Sequence, residues 1–528
     1  MMKTACFILS LPVSLSLWAA DSDGLLQAHL DQAHGISASA ANGAGTDAAL
    51  AALKAEIAEK LAIWSARVER RDLGDDALLA GIPKGVLEEA RQIGANTVKA
   101  QDALKKSVTL ELVLSLVAVR NPDVRAAYEN LRATLRHYEQ ASYLEDLSTR
   151  YRAFVRELDT KVGPQSHKEM PGKTFAFPSV LALKGQVVDA EAEIARLDYM
   201  QALRKALNQI ADEFFEIQSM AHELDILEQN RELLAKSEAS TRSQLETGKI
   251  SQSDLLKVQA NLANLDDEIE ILRHHRLHHE VQINVLLALP PITEWGPFYE
   301  TDLRVDTRPE EALLALAQAQ NQELLKSERD VAMQETMVRL SETMLYPRAS
   351  GMSQIALSMG AEAGPTRNAM TTFPERPAVT QEAGTFGADA AYIDELRVRA
   401  RGAKEQRDGV LAKIHFMVDH AFFSLHVAVR NTATYADVVV PKAKQSYEVL
   451  KKRYASADAA YAEVFDAGRS YLDDEKMLND HRRDRNKALV DVQDSIGRTA
   501  AALLPAIDYS KARPIKPVYR SHPQEHPQ

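Results

Sequence analysis

Four histidines crowd the run RHHRLHH: His274, His275, His278 and His279. Read as a helix, the run holds two pairs four residues apart, 274 with 278 and 275 with 279. Each pair could chelate Zn2+ or Cu2+ from one helix face. A complete site needs a further ligand, a carboxylate such as Glu280 or a group from a neighbouring chain. Arg273 and Arg276 stand beside the pairs and disfavour a bound cation, so a polar helix face is the plainer reading. Other chemistry is sparse. GTFGADAA is a loose glycine-rich match with no strong strand before it, as a phosphate loop would need. The sequence contains no HExxH and no GxSxG. Asp473-Asp474 reads as helix surface rather than a glycosidase pair. No catalytic residue and no cofactor is expected, and the chain is read as a non-enzyme.

A second group is acidic. Glu463 and Asp466, in AEVFDA, are three residues apart, which puts both carboxylates on one helix face. On any coiled coil such a pair is ordinarily a solvated face. Its meaning depends on the elements that carry it.

Those elements are long helices. Of the 528 residues, 26% are charged, 45% hydrophobic and 6% aromatic. That is a helix-forming composition, and the net charge of −12 argues against a nucleic-acid partner. Residues 1–20 read as a signal peptide, with Lys3, an apolar core ACFILSLPVSLSLW, and Ala19 and Ala20 before Asp21. The single cysteine, Cys6, lies inside it, so disulfides and thiol chemistry are excluded from the mature chain. No later run is long enough for a transmembrane helix. Residues 21–106 form an N-terminal extension. It is Ala/Gly/Ser-rich to about 46, then helical, with a break at GIPKGV and a second helical stretch from Val86 to about Leu104.

The rest of the chain is duplicated. LVAVRNPDVRAA and LAQAQNQELLKSE each place Asn (121 and 321) between an apolar run and a charged helix, 200 residues apart. QLETGKISQSDLLKVQANL aligns with RYASADAAYAEVFDAGRSYL at an offset of 209, Leu255 falling on Val464. Two features recurring in order at nearly one offset define repeats over 107–290 and 291–500, with a tail at 501–528. After the first turn, Leu255, Val258, Leu262, Leu265, Ile269 and Leu272 form a coiled-coil seam. The second copy gives Val464, Ala467, Tyr471, Asp474 and Leu478. Gly248 suits the chain reversal. Between the helices, DLSTRYRAFVRELDTKVG, SGMSQIALSMG and AYIDELRVRA are strand-like, although two of them carry charges on both faces.

On these residues the chain resembles the TolC-like outer-membrane efflux proteins, over roughly 107 to 500. The resemblance implies a mainly α fold with a small β part: duplicated long coiled-coil hairpins forming a periplasmic tunnel, with short strands for a shared outer-membrane barrel. It implies a homotrimer in the outer membrane, partnered by a periplasmic adaptor and an inner-membrane pump, acting as a duct for efflux or secretion. It implies that Leu245, Gly248, Lys249 and Ser251, with Tyr454, Ala457 and Asp458 in the second copy, form adaptor-docking tips. It implies that Glu463 and Asp466 line a periplasmic aperture, with Asp254 and Lys257 as their first-repeat counterparts. The hairpin tips are expected at one end of an elongated body. Two other readings stand beside it: a periplasmic coiled-coil spacer without a barrel, and a periplasmic metal-binding protein using the histidines.

Overall fold

The computed structural model describes residues 43–69, 73, 75–142, 178–246, 251–345, 388–456, 461–505 and 514–515. The helices are α1 (Gly43–Glu69), α2 (Lys84–Gly94), α3 (Thr97–Lys106), α4 (Leu110–Arg120), α5 (Pro122–Ser142), α6 (Pro178–Glu246), α7 (Gln252–Leu286), α8 (Glu310–Gln320), α9 (Gln322–Leu345), α10 (Ala388–Thr434), α11 (Val440–Ala455) and α12 (Tyr461–Ser495). The 69 residues of α6 make a helix about 100 Å long at 1.5 Å per residue. The chain divides into two compact units, each assembled from separated stretches of sequence. The signal peptide, DLSTRYRAFVRELDTKVG and SGMSQIALSMG lie outside the described residues.

The first unit comprises residues 1–71, 132–194 and 328–406. Trp64, Val68, Leu135, Tyr138, Val187 and Ala192 are buried in it. Lys60 reaches Asp189 at 2.7 Å, and the Tyr138 hydroxyl donates to the same carboxylate. Here one expectation fails. Residues 391–400 belong to α10, not to a strand. Tyr392, Ile393, Leu396 and Ala400 are buried at helical spacing, while Val398 is 54% exposed. Arg397 pairs with Asp394 and Arg399 with Glu395, contacts that only a helix brings together.

The second unit comprises residues 72–131, 195–327 and 407–528. The single helical stretch expected over 86–104 is broken in it. The Asn96 side chain accepts from Val98 N at 2.9 Å and Lys99 N at 3.3 Å, starting α3 as a separate helix. Strands that the sequence did not mark appear as β1 (Phe298–Tyr299) and β2 (Pro514–Ile515), paired antiparallel. Phe298 stacks on Phe214 with ring centroids 4.4 Å apart.

The duplication is built into the backbone of this unit. At the end of α7, Leu289 N donates to Asn284 O and Ala288 N to Val285 O. At the end of α12, Arg498 N donates to Gln493 O and Gly497 N to Asp494 O. Every residue is displaced by the same 209 positions, and both patterns are Schellman caps. Each needs a left-handed residue: Ala288 has φ 48° and Gly497 φ 81°. Three carbonyls beyond each cap still lack a helical partner. Asn121 Nδ2 donates to Leu286 O, and Arg120 to Leu287 O and Ala288 O. In the second repeat Asn321 donates to Ser495 O, Gln320 to Ile496 O and Gln322 to Gly497 O.

The two caps differ in strain. A Cβ at Gly497 would lie 2.8 Å from Asn321 Cα, against backbone that cannot move aside. Ala288 already holds a conformation that costs about 1–2 kcal/mol for a non-glycine residue. Gly497→Ala is expected to destabilise the protein by more than about 2 kcal/mol, whereas Ala288→Gly is expected to be neutral or stabilising by up to about 1 kcal/mol. Chemical unfolding followed by circular dichroism distinguishes the two; equal effects of opposite-sense substitutions would show that the caps are not the cause.

Candidate docking tips and aperture

The first hairpin joins α6 to α7. Its seam buries Leu224, Leu227 and Leu234 of α6 against Leu265, Ile269 and Leu272 of α7, with Val258 and Leu262 partly buried beside them. Fully burying side chains of this size contributes roughly 1.5–3 kcal/mol each. Toward the tip the seam turns polar. Gln259 Nε2 donates to Glu238 Oε1 at 3.0 Å, and Arg242 pairs with the same carboxylate at 2.8 Å. The Gln259 amide, and then Arg242, hold Glu238 below the usual carboxylate range.

The second hairpin joins α11 to α12. α10 and α11 are continuous through a π-helical turn, Tyr435–Val439, immediately ahead of Pro441. Proline has no N–H to give, and the widened turn accommodates the loss. The α12 stripe runs differently from its sequence reading. Val464, Gly468, Leu472 and Leu478 are buried, while Ala467, Tyr471 and Asp474 are half-buried. The shift follows from Gly468. A Cβ there would lie 2.8 Å from Leu233 Cδ2 and 3.0 Å from Tyr447 Cε2. The missing side chain lets α12 approach both hairpin partners, and Tyr471 stacks on Tyr447 with rings 8° from parallel. Burial, then the neighbouring Asp473, raises Asp474 above its ordinary value.

Phe465 packs on the apolar cluster of the first hairpin. Lys476 Nζ meets Glu223 at 2.6 Å and Glu268 at 3.2 Å. Burial works against the Lys476 charge, and the two carboxylates outweigh it, raising its pKa. The two hairpins are therefore one packed assembly, which their separate heptad patterns do not reveal.

The site residues fall as follows. Leu245 is half-buried in the last turn of α6, and Ser251 is exposed at the start of α7. Tyr454 is 44% exposed near the end of α11. Gly248, Lys249, Ala457 and Asp458 lie outside the described residues. Glu463 and Asp466 are both exposed on α12, flanking the inward-facing Val464 and Phe465. Lys257 is exposed on α7, and Asp254 lies in its first turn. The Glu463 and Asp466 carboxylates thus face away from the seam, and no described residue of this unit covers them.

The histidines are separated by their contacts. His279 Nδ1 lies 2.6 Å from Glu213 Oε2, and His278 meets Gln282. His274 and His275 are exposed. Arg276 is tied to Glu280 at 3.2 Å, so the carboxylate considered as a further ligand to a histidine pair serves the guanidinium. Among the described residues no group of three or more histidines, cysteines or carboxylates is placed to hold a metal ion.

Gly468→Leu is expected to destabilise by about 1–3 kcal/mol through overpacking, and Gly468→Ala by less, because both neighbours are ends of flexible side chains. Urea midpoints measure it; a neutral Gly468→Leu would show that the close approach carries no constraint.

No protein-family model and no curated protein sequence matches the chain. Solved structures do. The structure is similar to the outer-membrane channel OprN, with TM-score 0.53 and 17% identity over 77% of this chain and 92% of that one. It is similar to the outer membrane protein VceC of Vibrio cholerae, with TM-score 0.51 and 12% identity over 74% and 96%. It is also similar to the open state of the Neisseria gonorrhoeae MtrE outer membrane channel, with TM-score 0.51 and 11% identity over 75% and 89%. At these identities the likeness is one of architecture. The chain has the fold of these outer-membrane channels.

Proposed function

We propose that the chain is an outer-membrane duct, a homotrimer that carries substrate outward from an inner-membrane pump and its periplasmic adaptor. The observation that supports this most is the fold: a likeness that spans nearly the whole of each channel compared, together with a duplication in which the same carbonyl positions are bonded at both helix ends. In this reading the tips around Gly248 and Ala457 dock the adaptor. Glu463 and Asp466, solvent-facing beyond the second tip, line the inner mouth, where clustered carboxylates favour cations.

A second reading has a specific observation in its favour. Residues 391–400, one of the segments that the sequence offers as a strand, are helical. A periplasmic spacer of the same fold, without a barrel, needs no such strand. Mass measurement in mild detergent and outer-membrane fractionation separate the two. The duct is expected as a trimer in the outer membrane; a stable monomer in the soluble periplasmic fraction would favour the spacer.

Two further outcomes test the site. Replacing Glu463 and Asp466 together by Ala is expected to lower cation selectivity and weaken divalent-cation block in planar bilayers; unchanged conductance properties would leave these carboxylates as mere helix surface. Gly248→Leu adds bulk and disfavours positive φ at the tip, and is expected to abolish export while the trimer persists. Normal export, with adaptor crosslinks from position 249 intact, would make the tip a simple turn.

A further inference from the structure

Two helices of the second unit, α7 and α10, each carry a stripe that the unit leaves uncovered. On α7, Leu265, Ile269, Leu272 and Ile283 are buried. On its opposite face Asp267, Ile271, His274, His278, Val281 and Val285 recur at spacings of three and four, all exposed except the half-buried Val281. On α10, Ile414, Val418, Ala421 and Leu425 are buried. Opposite them Ala412, Phe416, Asp419, Phe423, His426 and Arg430 recur at the same spacings, all exposed. Phe416 is 67% and Phe423 65% exposed, large for rings with no role in water. A second three-and-four stripe on a helix that already packs once is what a further helical partner requires.

The contacts of α6 fix the heights of these stripes. Glu213 of α6 meets His279 of α7 at 2.6 Å, and Glu216, a turn further on, meets Lys487 of α12 at 2.6 Å. Residues 209 positions apart on α7 and α12, equivalent in the two repeats, therefore stand at one height to within a turn. From α12 the height passes to α10. Thr432 donates to His481 O at 2.9 Å, and His415 meets Gln318 at 2.8 Å close to Gln320, which donates to Ile496 O. Between these contacts Phe416 stands level with Val285, and Phe423 between His278 and Val281. His426 stands between His274 and His278, and Arg430 between Ile271 and His274. α10 runs antiparallel to α7, and copies rotated about an axis along the helices keep every residue at its own height. The α10 stripe of one protomer set against the α7 stripe of a second copy is therefore in register, with Arg430 beside the exposed Asp267 and Glu270.

The histidines give this boundary its chemistry. Of the two pairs on α7, 275 with 279 is broken, because Glu213 holds His279. His274 and His278 remain, both exposed. The arginines that stand beside them in sequence are engaged elsewhere: Arg276 is buried with Glu280, and Arg273 is held by Glu228 of α6 and by Glu270. With its amide turned to satisfy both ends, Gln282 accepts from His278 Nε2 at 2.9 Å and donates to Glu213 at 2.7 Å. That bond fixes the tautomer and leaves Nδ1 as the lone-pair nitrogen. His426 is exposed and rests on the Phe422 ring, centroids 4.4 Å apart. We propose that His274 and His278 of one protomer, with His426 of the partner subunit, hold a Zn2+ or Cu2+ ion at each boundary of the assembly. Two imidazoles four residues apart on one helix and a third from the facing helix supply three nitrogen ligands, the fourth position going to water. No single chain can complete the set, so the ion ties neighbouring copies together.

The site rests on the homotrimer of the duct reading, and the test measures the two separately on the full chain in mild detergent. Mass measurement gives the assembly; equilibrium dialysis with Zn2+ alone and with Cu2+ alone then gives the ions bound. One ion per chain is expected in the trimer, with electron paramagnetic resonance of bound Cu2+ showing three imidazole nitrogens. His274→Ala and His426→Ala should each weaken binding by more than about 100-fold, beyond what loss of an outer partner causes. His275→Ala, off the stripe, should leave binding unchanged. Trimers co-assembled from His278→Ala chains and His426→Ala chains should recover sites, because some boundaries then join two intact halves. A trimer that binds no ion, binds it equally well without His426, or recovers no sites on co-assembly would overturn the site and leave the duct reading standing. A stable monomer would overturn the assembly and the site together.

Discussion

Asn121 and Asn321 are the joints on which the helical framework turns. Each ends one helix, starts the next and fastens a third. Asn121 N donates back to Val117 O, its Oδ1 accepts from Asp123 N and Val124 N, and its Nδ2 closes the end of α7. Asn321 does the same between Ala317, Glu323 and the end of α12. Both residues are 2% exposed. A buried helix terminus leaves carbonyls that water cannot reach, and each orphaned group would cost on the order of 1–3 kcal/mol. One amide with both a donor and an acceptor resolves two helix ends at once. The asparagine amide carries donor and acceptor on separate atoms, so one short uncharged side chain reaches two helix ends. The long hairpins can project because their bases are closed in this way.

The duplication keeps this joint and relaxes what surrounds it. Arg120 in the first repeat becomes Gln320 in the second, yet both cap the same carbonyl position. Burial depresses the Arg120 pKa, with Arg125 adding to the effect, so its charge is held at a cost that the neutral Gln320 avoids. Pro122 has no counterpart to the Gln322 donor, and there Arg120 serves the third carbonyl instead. Ala288 tolerates a left-handed backbone where the second repeat has glycine pressed against Asn321. Identical geometry is thus reached with different side chains in the two repeats.

How much of this was legible in the sequence depends on the range of each interaction. The hairpins were readable because a heptad seam is local, and Leu265, Ile269 and Leu272 are buried as their spacing requires. The Asn breaks were readable as breaks. Their role was not, since the carbonyls they bind lie 165 and 174 residues away. Residues 391–400 misled because Leu396, Val398 and Ala400 alternate with arginines over a short window, a strand-like pattern. The helix is set by Tyr392, Ile393 and Leu396 packing on a neighbour that the sequence does not identify. Of the candidate site, the outward placement of Glu463 and Asp466 follows from their phase against Val464. The shift of the α12 stripe to Gly468 does not, because a glycine registers as an absence until the helix it touches is in place.

The polar seam between α6 and α12 settles a question that the apolar seams leave open. Leucine stripes specify that two helices pack, but they tolerate a slip by a turn, since one heptad resembles the next. Rungs such as Lys487–Glu216 and Asn208–Asp494 do not, because a slip would set Lys487 against surface without a carboxylate and leave half-buried Glu216 without its cation. Their contribution is to register more than to stability, as half-buried ion pairs offset most of their attraction by desolvation. A seam made only of leucine could have held the helices as firmly, but it would not have given them a fixed register.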